Sequence, residues 1–227
     1  MSEWQTCASR AELDLLLANH IAERLRTDLA SRGQASLAVS GGGTPKGMFQ
    51  ALSHCELDWS QVTITLVDER WVSPDSEDSN ERLVREYLLQ HRAATARFLG
   101  LKSEQDDAVD GLATVSARLA DLPRPVTLVV LGMGDDGHTA SWFPQADNLP
   151  SLLDPAGKAV LGATHPVTAP HQRITLTLPA VLDSRELIIH ITGDDKKAVL
   201  QSAREQDFPI AAILQQQITP VTIWWAP

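Results

Sequence analysis

The chain has only two cysteines, Cys7 and Cys55, in 227 residues. They form no metal-ligand spacing, and two thiols cannot build the framework of a disulfide-rich secreted domain, so a reducing, cytoplasmic setting is expected. Long apolar runs are also missing: none approaches the roughly 18 residues that a membrane helix needs. The N-terminus lacks a basic segment followed by an apolar core, so no secretory leader is expected. Cations are scarce, with 19 Lys and Arg against 29 Asp and Glu and a formal net charge of -10. Such a surface disfavours nucleic acid and anionic membranes, so neither is an expected partner, and any anionic ligand must be met by local cations. There is no internal repeat, no low-complexity tract, no linker composition and no sign of an obligate protein partner. What remains is ordinary, 43% hydrophobic and 21% charged, and one domain over 1–227 is the default at this length.

The chain is organised around Leu131-Gly132-Met133-Gly134-Asp135-Asp136-Gly137-His138-Thr139. It follows Val126 to Val130, an apolar, β-branched run bounded on its N-terminal side by prolines 123 and 125, that reads as a strand buried on both faces. Glycines and aspartates turn the backbone tightly, and His138 and Thr139 arrive where a helix is expected to begin. An imidazole at the carboxyl end of a central strand lies where open α/β sheets bind ligands. By itself it reads equally well as an incidental histidine in a solvated turn.

Other stretches repeat that arrangement. A capping box, Ser9 to Glu12, opens a helix carrying Leu13, Leu16, Leu17, Ile21, Leu25 and Leu29 and stopping at Gly33. The strand Ser36–Val39 runs into Ser40-Gly41-Gly42-Gly43-Thr44-Pro45, with Thr44 a possible cap and Pro45 at the first helical position. A strand, a glycine loop and a helix N-terminus make an anion cradle, though it matches neither Walker A nor a dinucleotide fingerprint, and a purely structural turn stays open. The strand Val62–Val67 ends in Asp68-Glu69-Arg70-Trp71, which reads either as crevice groups or as a surface ion pair. Asn80 opens the next helix as cap or ligand contact, and a further helix spans Ala108–Leu119. The segment from Pro144 to Pro170 reads as irregular. Arg173–Leu178, Glu186–Ile191 and Pro220–Trp225 read as strands, with Lys196 in the first turn of the helix after the second of these. A lysine there opposes the helix dipole unless an anion is held nearby; a solvated lysine is the alternative. Alternating strands and helices indicate an α/β fold with a parallel sheet.

Taken together and in order, Ser40–Pro45, Asp68–Val72, Ser79-Asn80, Leu131–Ser141, Arg173–Thr177 and Gly193–Lys196 resemble the motifs of the 6-phosphogluconolactonases, grouped with the glucosamine/galactosamine-6-phosphate isomerases. The resemblance spans about 36 to 200. It implies a three-layer αβα, Rossmann-like, glucosamine-6-phosphate deaminase-like fold, and hydrolysis of 6-phospho-D-glucono-1,5-lactone in the oxidative pentose phosphate pathway without metal or organic cofactor. By this resemblance His138 is the general base and Asp136 orients it or a substrate hydroxyl. Ser40, Gly41, Gly42, Gly43, Thr44, Asp68, Arg70, Asn80, Arg173 and Lys196 are the implied substrate-binding residues, the cations meeting phosphate or carbonyl oxygen. The isomerases carry a further glutamate after the histidine, whereas Ala140 to Pro144 has no carboxylate, which favours the lactonase. Trp142 and Lys197 depart from the lactonase pattern, with Trp142 expected as a helix-face contact. A catalytically silent sugar-phosphate sensor is a reading from another class, disfavoured because no DNA-binding appendage is present and His138 is intact.

Overall fold

The computed structural model describes residues 3–227. After β1 (Glu3–Thr6), Ser9 caps α1 (Arg10–Arg32) by accepting the Glu12 amide at 3.2 Å, and Glu12 reaches back to the Ala8 amide at 2.6 Å. Gly33 ends the helix in a left-handed conformation, φ 71°, that costs glycine nothing. Leu13, Leu17, Ile21 and Leu25 are fully buried, each worth about 1.5–3 kcal/mol. Leu16, expected on the same face, is 46% exposed. At 100° per residue it falls to the side of a stripe centred between Leu17 and Ile21.

The elements that follow are β2 (Ala35–Val39), α2 (Lys46–Ser53), β3 (Val62–Leu66), β4 (Asp68–Arg70), α3 (Asn80–Tyr87), β5 (Arg97–Leu99), α4 (Ala108–Leu119) and β6 (Leu128–Leu131). Then come α5 (Leu149–Leu152), β7 (Leu161–Thr164), β8 (Arg173–Leu176), α6 (Leu178–Leu182), β9 (Leu187–Thr192), α7 (Asp194–Ser202), α8 (Ala211–Gln215) and β10 (Val221–Ala226). Seven strands form one parallel sheet in the order β1-β10-β9-β6-β2-β3-β5, flanked by helices as the α/β, Rossmann-like reading requires. The central strands β2, β3 and β6 are buried along their whole length, as their apolar, β-branched composition dictates.

The topology fixes where a ligand can sit. From β2 the chain moves to β3 on one side and later lays β6 on the other side of β2. The loops leaving β2 and β6 therefore part, and the crevice at such a switch point is the binding position of open α/β sheets.

The structure also corrects several expectations. Residues 68–70 do not simply cap the β3 edge: they form β4, antiparallel to β8 in a second sheet of order β4-β8-β7. Val67 joins the two sheets, donating to Val39 O at 2.9 Å and accepting from the Leu176 amide at 2.8 Å. The segment read as irregular supplies α5 and β7. Thr44 is exposed and does not cap α2, whose first residue follows Pro45. The strand from Arg173 stops at Leu176, because Pro179 sits in the first turn of α6.

No helix begins after Thr139. Ala140 adopts φ 49°, the Ser141 amide donates to Thr175 Oγ1, and the Trp142 amide closes a turn on Thr139 O. Trp142 is fully buried, with Nε1 donating to Leu176 O at 2.9 Å. It anchors this loop to β8 and is not a helix-face contact.

Candidate active site

A cavity of about 380 Å³ opens at the switch point. Its walls come from the loops after β2 and β6, from β4, β8 and the end of β9, and from the starts of α3 and α7. Ser40, Gly41, Gly42, Thr44, Asp68, Arg70, Asn80, His138, Arg173 and Lys196 all line it. Gly43 lies outside the lining. Asp136 is also outside it and reaches the cavity through His138.

The loop after β6 is built to hold one imidazole. The Gly134 amide donates to His138 O at 2.8 Å, the Gly137 amide to Gly134 O at 3.1 Å, and Thr139 Oγ1 to Gly132 O at 2.8 Å. Gly137 needs its φ of 73°, and a Cβ there would meet the Phe208 ring at 2.4 Å. Inside this frame His138 Nδ1 donates to Asp136 Oδ1 at 2.5 Å, and the same oxygen accepts the His138 amide at 3.1 Å. Phe143 stacks on the imidazole with centroids 4.4 Å apart. With Nδ1–H held by a carboxylate, Nε2 is the acceptor nitrogen, and it has no hydrogen-bond partner among the described residues.

Opposite stands a pair of cations. Arg70 and Arg173 face each other directly in the β4–β8 ladder. Like charges so placed repel and destabilise the free protein. Arg70 donates to Asp78 O at 2.6 Å and Arg173 to Pro170 O at 3.2 Å, but the buried Nε of each has no partner. Neither forms an ion pair with a carboxylate within 4 Å among the described residues, so the surface Asp68–Arg70 pair is not formed. Burial draws the Arg173 pKa below its ordinary value, and Arg70 adds to that while Asp68 opposes it. The buried guanidinium of Arg173 beside the half-buried one of Arg70 fits an oxyanion better than an ammonium does. Phe143 sits between the two halves of the site, stacked on His138 and 5.7 Å below the Arg173 guanidinium.

The remaining groups are tied more firmly than a free ligand contact would be. Lys196 Nζ meets the exposed Asp135 at 2.6 Å. Lys196 and His138 both draw the Asp135 pKa down, the Lys196 hydrogen bond most of all. Ser40 Oγ accepts the Gly132 amide at 3.0 Å and ties the two switch-point loops together. Asp68 accepts Ser141 Oγ at 2.6 Å, and Asn80 Nδ2 donates to Asp68 O at 2.9 Å. Ser79, not Asn80, caps α3. In the glycine loop a Cβ at Gly41 would fall 1.8 Å from Asn80 Oδ1, so that glycine admits the start of α3. Gly42, at φ 89°, has nothing within 4 Å of its Cβ position and leaves the cradle open.

Three contributors went unread in the sequence. Glu69 is buried behind Arg70 and accepts the amides of Arg70, Asn80 and Glu81 at 2.7–2.8 Å, with Ser79 Oγ at 3.1 Å. Burial raises its carboxyl to about 7 even though those amides pull it down. Phe143 and His190 also line the cavity. The one available signal was a histidine inside the otherwise apolar run Leu187–Ile191.

A switch-point crevice lined by a glycine loop, two opposed arginines and a carboxylate-anchored imidazole has the make-up of an α/β enzyme site. Comparison with known proteins narrows the class. Residues 8–224 match the model of the glucosamine-6-phosphate isomerases/6-phosphogluconolactonase family. A 6-phosphogluconolactonase of Mesorhizobium japonicum is 44% identical over 226 residues, covering 99% of this chain and 95% of its own. One of Rhizobium meliloti is 46% identical over 215 residues, covering 93% of each. The crystal structure of a 6-phosphogluconolactonase from Shewanella baltica superposes with a TM-score of 0.97 at 45% identity, over 100% of this chain and 98% of the other. The chain belongs to the glucosamine-6-phosphate isomerase/6-phosphogluconolactonase family and is an enzyme.

Proposed function

We propose that this enzyme hydrolyses 6-phospho-D-glucono-1,5-lactone to 6-phospho-D-gluconate in the cytoplasm, as part of the oxidative pentose phosphate pathway, with His138 as general base. The observation that carries the reading is an Asp136-anchored His138 facing the same cavity as the opposed Arg70 and Arg173. Arg70 and Arg173 take the phosphate, whose charge relieves their mutual repulsion. Lys196 adds a third cation once it exchanges Asp135 for ligand. Asp68 and Asn80 meet the sugar hydroxyls, and the backbone amides of the Ser40–Thr44 loop face the lactone carbonyl. Water attacks that carbonyl carbon and gives a proton to His138 Nε2 while Asp136 stabilises the imidazolium. The tetrahedral oxyanion collapses, the bond to the ring oxygen breaks, and the imidazolium returns the proton to that oxygen. The product carboxylic acid then ionises and releases one proton.

Such a base contributes about 10²–10⁴ in rate. That is sufficient for an already electrophilic lactone with a tolerable leaving group. The homologues named 6-phosphogluconolactonase support lactone hydrolysis, and the absence of a carboxylate in Ala140–Pro144 weighs against ring-opening isomerase chemistry. The test is proton release at neutral pH from freshly generated lactone, with a no-protein blank because the lactone opens unaided. Ammonia release from glucosamine-6-phosphate is measured in parallel. Acceleration of the first without the second is expected; the reverse pattern overturns the assignment.

A further inference from the structure

Phe143 is 4% exposed, yet among the described residues it stands outside the contiguous hydrophobic core. A buried aromatic ring ordinarily packs into that core. Phe143 instead meets polar groups of the site. It stacks on the His138 imidazole with centroids 4.4 Å apart and planes 29° apart, and the Arg173 guanidinium carbon lies 5.7 Å from its centroid. Its place is firmly held. The preceding Trp142 is locked to β8 through Nε1, the Trp142 amide closes on Thr139 O at 3.0 Å, and Phe143 O accepts the Ala146 amide at 3.1 Å. The His138 ring is therefore met on its face by Phe143 and at its Nδ1 edge by Asp136.

The reaction sets this pair of contacts a charge problem. When water gives its proton to Nε2, the electron pair stays on the oxygen that bonds the carbonyl carbon, and a positive charge appears on the imidazole. Arg70, Arg173 and Lys196 line the same cavity, so a further cation there is disfavoured. Asp136 opposes that cost at the edge of the ring. The face of a phenyl ring is negative and attracts a cation within about 6 Å of its centroid. That attraction acts on the imidazolium far more than on the neutral imidazole, so it grows as the transition state forms. We propose that Phe143 is a positioning residue for the base: its ring face aligns the His138 imidazole and stabilises the imidazolium formed as water is deprotonated. This rests on the lactonase reading given above.

Two experiments test it, both with Phe143 replaced by its mono-, di- and trifluorinated analogues. Fluorine nearly keeps the shape of the ring while withdrawing electrons from its face. The charged groups around the imidazole, Asp135 and Asp136 of its own loop, Asp68 and Arg70 of β4, Arg173 of β8 and Lys196 of α7, stay the same along the series. In the first experiment, kcat and KM for the lactone are measured at pH 8, above the ordinary range of histidine protonation. The kcat should fall stepwise by about 2–10-fold in total, the worth of a partly desolvated cation–π contact, with KM within about twofold. A flat series assigns the ring to packing, and a series that raises KM at constant kcat assigns it to Arg173; either overturns the proposal. The second experiment needs no substrate. In ¹³C- and ¹⁵N-histidine spectra, the pH at which His138 gains its proton should fall along the same series by roughly 0.5–1 unit, because a weaker ring face favours the imidazolium less. An unmoved midpoint overturns the proposal. Failure of wild type to hydrolyse any lactone, by contrast, strikes the reading of the previous subsection, while the spectra still decide whether Phe143 stabilises the imidazolium.

Discussion

Replacing Gly134 with alanine perturbs the proposed base without touching it. A Cβ at 134 would lie 2.2 Å from both Cε1 and Nδ1 of His138 and 2.8 Å from Asp136 Oδ1. Ordinary carbon contact begins near 3.5 Å, so the imidazole must retreat by more than about 1 Å, away from both its carboxylate and its working position. Gly134 is not among the residues at positive φ, so the alanine backbone itself is unstrained. A misplacement of about 1 Å costs on the order of 10²-fold in rate. The arginines stand on another sheet, in β4 and β8, and do not feel the change. The expected outcome is therefore a kcat about 100-fold lower with KM within a few-fold of wild type, read by pH-stat proton release after subtraction of the spontaneous rate. Melting should shift by only a few degrees. A kcat within threefold of wild type would refute the reasoning that the glycine reserves the space of the imidazole.

Other consequences follow from the cations and from Glu69. Arg173→Met removes one of two opposed charges, so the free protein should melt at the same temperature or higher, while KM rises by about 10–150-fold for a lost charge-assisted contact of about 1.5–3 kcal/mol. An unchanged KM contradicts the phosphate role. Glu69 binds its proton more tightly folded than unfolded, because burial raises its carboxyl from 4.5 to about 7. Its contribution to stability is complete below pH 4.5 and is lost as pH rises through about 7. The loss totals about 3 kcal/mol at roughly 1.4 kcal/mol per pH unit. Urea unfolding at pH 5 and pH 8 should show this fall in wild type and a flatter profile in Glu69→Gln; equal slopes contradict it.

The fold was largely legible because its parallel strands are short apolar runs ending in glycine or charge, and each such ending marks the carboxyl edge of the sheet. Val62–Leu66 and Leu128–Leu131 read correctly for that reason. The second sheet was not legible. Three residues, Asp68–Arg70, are too few and too polar to show a strand period, and Leu161–Thr164 contains a glycine and no alternation. The turn after His138 reads as a helix start because Ala140-Ser141-Trp142 carries no local breaker. What stops the helix is tertiary, the bonds of Ser141 and Trp142 to β8. At the cavity, the glycine loops and the cations Arg70, Arg173 and Lys196 were readable from their places at strand ends and helix starts. The direct opposition of Arg70 and Arg173, the burial of Glu69 and the isolation of His190 depend on which strands meet, and local sequence does not state that.

The central claim is that His138 acts on water and not on phosphate. The direct measurement is a His138→Asn variant examined twice, by kcat on fresh 6-phosphogluconolactone and by calorimetric affinity for 6-phosphogluconate. A fall in kcat of about 10²–10⁴ with affinity within a few-fold of wild type is the predicted result. A parallel loss of affinity and rate, or a variant that keeps its kcat, would contradict the account.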